Sequence, residues 1–284
     1  MDTDLVQRAA RFAPPWLRYM LTLSEAVRTG DSWVVAEGDD IALWDTDAGA
    51  VLPMWPTKEL AAETLDADSD AEAAPVSLDE ITERLLPFLV KADANLSLFP
   101  NYEDDMLIEP AAVAEDIADF IAQPVDIVGE LAQAPAATAY DEWALLESPG
   151  VEDEQEEGWA PVEAAVVATG DRYADAIANA SATGALWLLD DPAEDAVVGI
   201  VIDDRPGLAV FATQGEAAAY GESTDAEVTP RALGIDSLVL GWLLVAYGGQ
   251  WTVAISPDAE TAVFVEPTRL ALDLGEACAA GEDE

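Results

Sequence analysis

The chain has 284 residues, 51% of them apolar, and carries 58 Asp and Glu against 11 Lys and Arg, for a formal net charge of −47. That is enough apolar material for two domains with their own cores, which excludes an intrinsically disordered chain, and the charge disfavours direct binding of nucleic-acid phosphates. With no histidine and a single cysteine, Cys278, an intramolecular disulfide, Ser/His/Asp and Cys/His catalysis, and His-based or Cys₄ metal sites are excluded, so no cofactor is expected.

The first 15 residues read as a short helical arm, with Leu5, Val6, Ala9 and Phe12 at helical spacing before Pro14-Pro15. They have neither the apolar run nor the cleavage site of a secretory signal. A second helix begins at Trp16, buries Tyr19, Leu23, Ala26 and Val27, and stops at Thr29-Gly30. Arg8, Arg11, Arg18 and Arg28 read as a helix face paired with acidic neighbours. Strands follow at Trp33–Val35, at Ile41–Trp44 and into Trp55, spaced as a three-stranded meander.

The run LPMWPTKELAAE at 52–63 is a strand entering a helix, in which Pro56 fixes φ and Thr57 supplies a capping hydroxyl. An acidic loop at 66–75 precedes a helix from about Leu78 to Val90, with Pro87 placed to kink it. A hairpin at 95–110 and a helix starting at Pro110 close this half.

The same order recurs downstream. Arg172, Tyr173, Ala180, Thr183, Gly184 and Trp187 repeat Arg18, Tyr19, Ala26, Thr29, Gly30 and Trp33 at an offset of 154 (172 − 18), and Leu208 to Ala218 repeats the strand and helix begun at Leu52 at an offset of 156 (208 − 52). Pro257, Glu260, Glu266 and Pro267 repeat Pro100, Glu103, Glu109 and Pro110 at an offset of 157 (257 − 100). The reading is an α+β chain of two homologous domains, each a mixed sheet of about five strands packed with helices in the order α-β-β-β-α-α-β-β-α. The expected divisions are an arm at 1–15, a first repeat at 16–122, an acidic linker at 123–160, and a second repeat at 161–284 ending in an acidic tail. The apolar run Leu238–Tyr247 is about half the ~20 residues that span a bilayer, so it reads as a core helix and no membrane association is expected.

Asp66, Asp68, Asp70 and Glu72 alternate like the opening of a calcium loop, but Ala71 and Ser77 stand where such a loop needs Gly and a bidentate Glu, so no metal site is expected. The pairs Asp39-Asp40, Asp104-Asp105 and Asp203-Asp204 fall in turns where solvated Asp is ordinary. Trp33, Trp55, Trp187 and Trp242 sit on repeated core positions, whereas Trp143 and Trp159 in the linker are candidate anchors for a partner. Lys58, with Lys91 one of the lysines in a chain nearly devoid of them, marks the start of the Thr57 helix as the candidate contact surface together with Trp55; the second repeat has Gln214 there.

Arg18-Tyr19, Trp33, the LPMWPTKELA run, Leu86-Pro87, Leu98-Phe99-Pro100 and Ile108-Glu109-Pro110 resemble the bacterial and archaeal domain of unknown function 2750. The second repeat, with Phe211-Ala212 for Trp-Pro, is more similar to SseB-like (enhanced serine sensitivity) N-terminal domains. The resemblance implies a small α+β domain and no established catalytic residues.

These features favour a cytoplasmic, non-enzymatic module that binds an unidentified protein partner. The alternatives are an immunity or inhibitor protein whose acidic face occupies a basic partner, and a carboxylate-dependent metal hydrolase. The charge, far beyond what solubility requires, fits an extreme halophile with a salt-rich cytoplasm, where screening removes the self-repulsion; the acidic surface is compatible with weakly bound monovalent cations.

Overall fold

A computed structural model describes residues 3–38, 40–47, 49–65, 70–100, 106–139, 143–146, 171–192, 196–202, 205–224, 227–257 and 261–282. The chain is mixed α/β and divides into two units, Met1–Gly129 and Glu130–Glu284.

Unit 1 opens with α1 (Thr3–Phe12) and α2 (Pro15–Thr29), and the expected arm is part of the fold, because Leu5, Val6 and Ala9 are buried and α1 packs on α2. Gly30, at φ 83°, closes α2 in the left-handed conformation that glycine adopts without a Cβ penalty. Then come β1 (Asp31–Glu37), β2 (Asp40–Ile41), β3 (Trp44–Thr46) and β4 (Gly49–Met54). They are not one meander. β2 pairs with β1, but the chain leaves that sheet at Ala42-Leu43, and β3 pairs with β4 in another. The link between the sheets is a backbone bridge from Trp33 to Trp55, with N–H···O distances of 3.0 and 2.8 Å in the two directions.

After α3 (Lys58–Glu63), β5 (Glu72–Ser77) runs antiparallel to β1 over six residue pairs, so part of the expected acidic loop is a strand. Alternation is hidden there by the small residues Ala73 and Ala74 and by Pro75, so periodicity alone did not expose it. The long helix is α4 (Leu78–Glu80), a π turn (Ile81–Leu85) and α5 (Leu86–Ala92). Pro87 lies in the first turn of α5, directly after the π turn. β6 (Asn95–Leu98) joins β4 in parallel, β7 (Leu107–Ile108) joins β6 antiparallel, and α6 (Pro110–Ala122) covers the core. Unit 1 therefore holds a three-stranded sheet, β2-β1-β5, and a four-stranded sheet, β3-β4-β6-β7, in place of one five-stranded sheet. Tyr19, Leu52, Ile81, Leu89, Leu96 and Ile117 are among the buried residues that join them to the helices.

The stretch expected to be a linker is partly ordered structure. It contains α7 (Ile127–Ala132), β8 (Ala136–Ala139) and β9 (Trp143–Leu146), and both strands belong to the sheet of unit 2. Alanine-rich strands carry little hydrophobic contrast, so they read as linker.

Unit 2 repeats the element order of unit 1: α8 (Arg172–Thr183), β10 (Ala185–Asp191), β11 (Ala196–Val197), β12 (Gly199–Ile202), β13 (Arg205–Val210), α9 (Gln214–Glu222), β14 (Thr229–Gly234), α10 (Ile235–Ser237), a π turn (Leu238–Trp242), α11 (Leu243–Gly248), β15 (Thr252–Ile255), β16 (Thr261–Val265) and α12 (Pro267–Glu282). Pairings repeat too: β11-β10-β14 matches β2-β1-β5, the parallel β13–β15 pair matches β4–β6, and Trp187 bridges to Phe211 as Trp33 does to Trp55. The π turn recurs 157 positions on (238 − 81), although Leu244 replaces Pro87, so proline is not its cause. No described helix is long and apolar enough to cross a membrane.

One polar contact is common to both units. The Tyr19 hydroxyl donates to Asp116, tying α2 to α6, and the Tyr173 hydroxyl donates to Asp273 at 2.7 Å, tying α8 to α12; Arg269 Nε also donates to Asp273 at 2.7 Å. Burial, reinforced by the neighbouring carboxylate, pushes both phenols well above their ordinary range. Unfolded phenols ionise near pH 10 while the native ones keep their protons, so this contribution is complete below about pH 10 and is lost as pH rises beyond it. A melting series from pH 8 to 11 should show a steeper alkaline decline in the wild type than in the Tyr19→Phe/Tyr173→Phe double variant; equal slopes would show that the phenols do not govern it.

Candidate functional site

In unit 1 the sequence around Lys58 builds a stack on the Trp33–Trp55 bridge. Thr57, extended at φ −138°, accepts from the Leu60 amide and caps α3, which sets Lys58 at the first helical position. The exposed Lys58 Nζ lies 5.9 Å from the centroid of the Trp33 ring, a cation–π arrangement worth about 0.5–1 kcal/mol at such a site. Across the bridge Trp55 packs edge-on against Trp44 with ring centroids 5.8 Å apart. Trp55 is only 1% exposed, so it supports this surface and does not itself offer a contact. Its flat ring and central position in the repeat made burial legible, but not which aromatic neighbours would share the space.

Of the linker tryptophans, Trp143 lies in β9, where its backbone pairs with Ile202. Trp159 lies outside the described residues, as do Asp66, Asp68, Asp39 and the pairs Asp104-Asp105 and Asp203-Asp204. Among the described residues no group of three or more His, Cys, Asp or Glu is arranged to hold a metal ion.

Unit 2 has a different arrangement at the matching helix start. A cavity of about 280 Å³ is lined by Arg172, Glu216, Tyr220, Ser223, Ser256 and Pro257. Glu216 follows Thr213 in a capping box: the Thr213 side chain accepts from the Glu216 amide at 3.2 Å, and Glu216 Oε2 accepts from the Thr213 amide at 3.3 Å. The same oxygen also accepts from the Ala212 amide at 3.1 Å and from Ser256 Oγ at 3.0 Å. Arg172 Nη1 donates to the carbonyls of Ser256 and Thr261, both at 3.1 Å, and so spans the turn between β15 and β16.

Ser256 holds a left-handed backbone at φ 40°, a conformation costing of order 1–3 kcal/mol in a non-glycine residue. Four contacts secure it: its amide donates to Val210 O at 2.6 Å, its carbonyl accepts from Arg172, and its hydroxyl bonds both Glu216 and the Ala212 amide. Phe99 occupies the matching place in unit 1, also left-handed at φ 59° and with its amide on Met54 O at 2.6 Å, but its side chain is apolar and buried. Leu60 likewise stands where unit 2 has Glu216, three residues into the helix from the capping threonine. The sequence carried a signal for this cavity in the paired replacements of Leu60 by Glu216 and Phe99 by Ser256, which become meaningful only when both are seen to converge. Chemically, the cavity is lined by a guanidinium that donates to two carbonyls and by a carboxylate that accepts three hydrogen bonds from local donors, and these contacts hold the β15–β16 turn in place.

Residues 19–117 match the model of the family described as Protein of unknown function (DUF2750). No curated protein matches the chain. A solved structure of Anabaena Tic22, described under protein transport, is similar over 76% of this chain and 83% of that one, at 10% identity and a TM-score of 0.20.

Proposed function

We propose that this chain is a non-enzymatic protein-binding or adaptor module built from a duplicated domain, with unit 1 as the binding member. One observation carries the reading: Phe88, Val90 and Ile121 are exposed at 54, 61 and 54% on α5 and α6, two helices that pack together, whereas the matching segment of unit 2 exposes the shorter pair Leu240 and Leu244 at 51 and 40%. Large apolar side chains grouped on neighbouring elements are the ordinary mark of a contact surface, and polar residues would serve solubility better. The exposed Lys58 of the same unit adds a cation that Gln214 does not supply in unit 2. The reading of the units as copies of one domain rests on their common strand pairing at offsets of 154 to 157 (185 − 31, 253 − 96). The SseB-like reading of unit 2 rests on its strand ending at Phe211 before Thr213 and remains a proposal about ancestry.

Affinity capture with the full chain from native lysate, in the salt of its own cytoplasm, tests the function. A stoichiometric partner is expected, lost with Lys58→Glu or Phe88→Ser and retained with Gln214→Glu. Absence of any partner at every salt concentration, or equal effects of the unit 1 and unit 2 substitutions, would remove the proposal.

We also propose adaptation to high salt. At molar ionic strength the screening length falls to about 3 Å, so the repulsion within a chain of −47 is largely silenced. The melting temperature should rise steadily as KCl increases from about 0.1 M toward multimolar levels. A flat or falling melting temperature would contradict the proposal.

A further inference from the structure

The cavity of unit 2 is where the two copies differ in chemistry at matched positions. Glu216 stands where unit 1 has Leu60, at an offset of 156 (216 − 60), and Ser256 where it has Phe99, at an offset of 157 (256 − 99). Arg172 matches Arg18 at an offset of 154 (172 − 18). In unit 1 Leu60, Phe99 and Arg18 are all buried. In unit 2 a carboxylate and a hydroxyl replace the two apolar side chains, Arg172 is half-buried, and an opening of about 280 Å³ lies among them.

Holding the turn does not require this exchange. Phe99 keeps a left-handed backbone, at φ 59° against 40° for Ser256, and the same 2.6 Å amide bond to the neighbouring strand, with a hydrocarbon side chain. Putting a carboxylate in place of buried hydrocarbon is costly unless its acceptors find donors. Oε2 of Glu216 finds three, the Ala212 and Thr213 amides and Ser256 Oγ, whereas no hydrogen bond to Glu216 from the described residues falls on Oε1. An ionised carboxylate offers about four acceptor positions over its two oxygens, so the capping box fixes the group and leaves the second oxygen for a further donor.

The remaining walls define what that donor belongs to. Ala219, Pro257 and the ring of Tyr220 are apolar, and Arg172 brings the positive charge of its guanidinium while Nη1 holds the Ser256 and Thr261 carbonyls. A bare cation meets the guanidinium and a bare anion meets the carboxylate, whereas a molecule carrying both charges has a partner for each. Size sets the other limit: about 280 Å³ is at the lower end of the ~300–1,000 Å³ usual for ligand sites, which suits a small, compact molecule.

We propose that the unit 2 cavity binds a small zwitterion of the α-amino-acid type, with its ammonium on Glu216, its carboxylate attracted by Arg172, and a short aliphatic body against Tyr220 and Pro257. The site belongs to unit 2 and does not depend on the partner-binding reading of unit 1. Ion pairs inside a cavity are screened much less than exposed ones, so binding persists in high salt.

The test is calorimetric titration of the full chain in high KCl with L-alanine, L-valine and L-leucine. Isobutylamine and isovalerate, which are valine without its carboxylate and without its ammonium, serve as controls. At least one amino acid should bind saturably, about tenfold or more tighter than either control. Glu216→Gln keeps a residue that completes a capping box but removes the charge, and should weaken binding about tenfold or more. The Glu216→Leu/Ser256→Phe variant restores the unit 1 residues and should not bind, with melting curves showing whether each variant is folded; if the double variant is not, Glu216→Gln decides. No saturable binding of any of the three amino acids, equal binding of either control, or unchanged affinity in folded Glu216→Gln would overturn the proposal and leave Glu216 with a structural role alone.

Discussion

The paired hydrogen bonds between Trp33 and Trp55 are the constraint from which unit 1 is built. They form one bridge between two small sheets that otherwise have no strand in common, and Ser32 Oγ adds a bond to the Trp55 carbonyl at 2.9 Å. Two residues later Thr57 caps α3, so the bridge sets where that helix begins and places Lys58 over the Trp33 ring. Unit 2 keeps the bridge through Trp187 and Phe211, with distances of 3.0 and 2.8 Å, and likewise begins a capped helix two residues after it. A large aromatic ring at each end excludes water from these backbone groups, which raises the cost of breaking them.

On that common frame the units diverge in what they show to solvent. Unit 1 has a lysine over the Trp33 ring, a Trp44–Trp55 pair, and exposed apolar side chains on α5 and α6; unit 2 exposes Leu240 and Leu244 on the matching segment. Unit 2 closes both edges with its own strands and spends polar residues, Arg172, Glu216 and Ser256, on fixing the β15–β16 turn around a cavity. Acidic residues surrounding both leave apolar and cationic groups conspicuous wherever they occur.

Much of this frame was legible in the residues. Pro110 and Pro267 announced the final helices, Gly30 and Gly184 the stops of α2 and α8, and the spacing of Tyr19 and Tyr173 the packed helix faces. What periodicity could not show was which strand pairs with which. Ile41 and Trp44 lie close in sequence yet belong to different sheets, because the chain changes sheet at two residues with no turn chemistry to mark it. β5, β8 and β14 were hidden by Ala, Pro and Thr, whose side chains give little contrast between a buried and a solvated face. The cavity was hidden for another reason: Arg172, Glu216 and Ser256 are scattered through 85 positions (172 to 256) and meet only through tertiary structure.

Amide hydrogen exchange of the full chain, resolved to individual residues in high salt, tests the central claim that the aromatic bridges organise both units. The amides of Trp33, Trp55, Trp187 and Phe211 should be among the slowest to exchange, opening only with the whole unit that contains them. Exchange of these four amides as fast as that of exposed turn residues, while the flanking strands stay protected, would contradict the account.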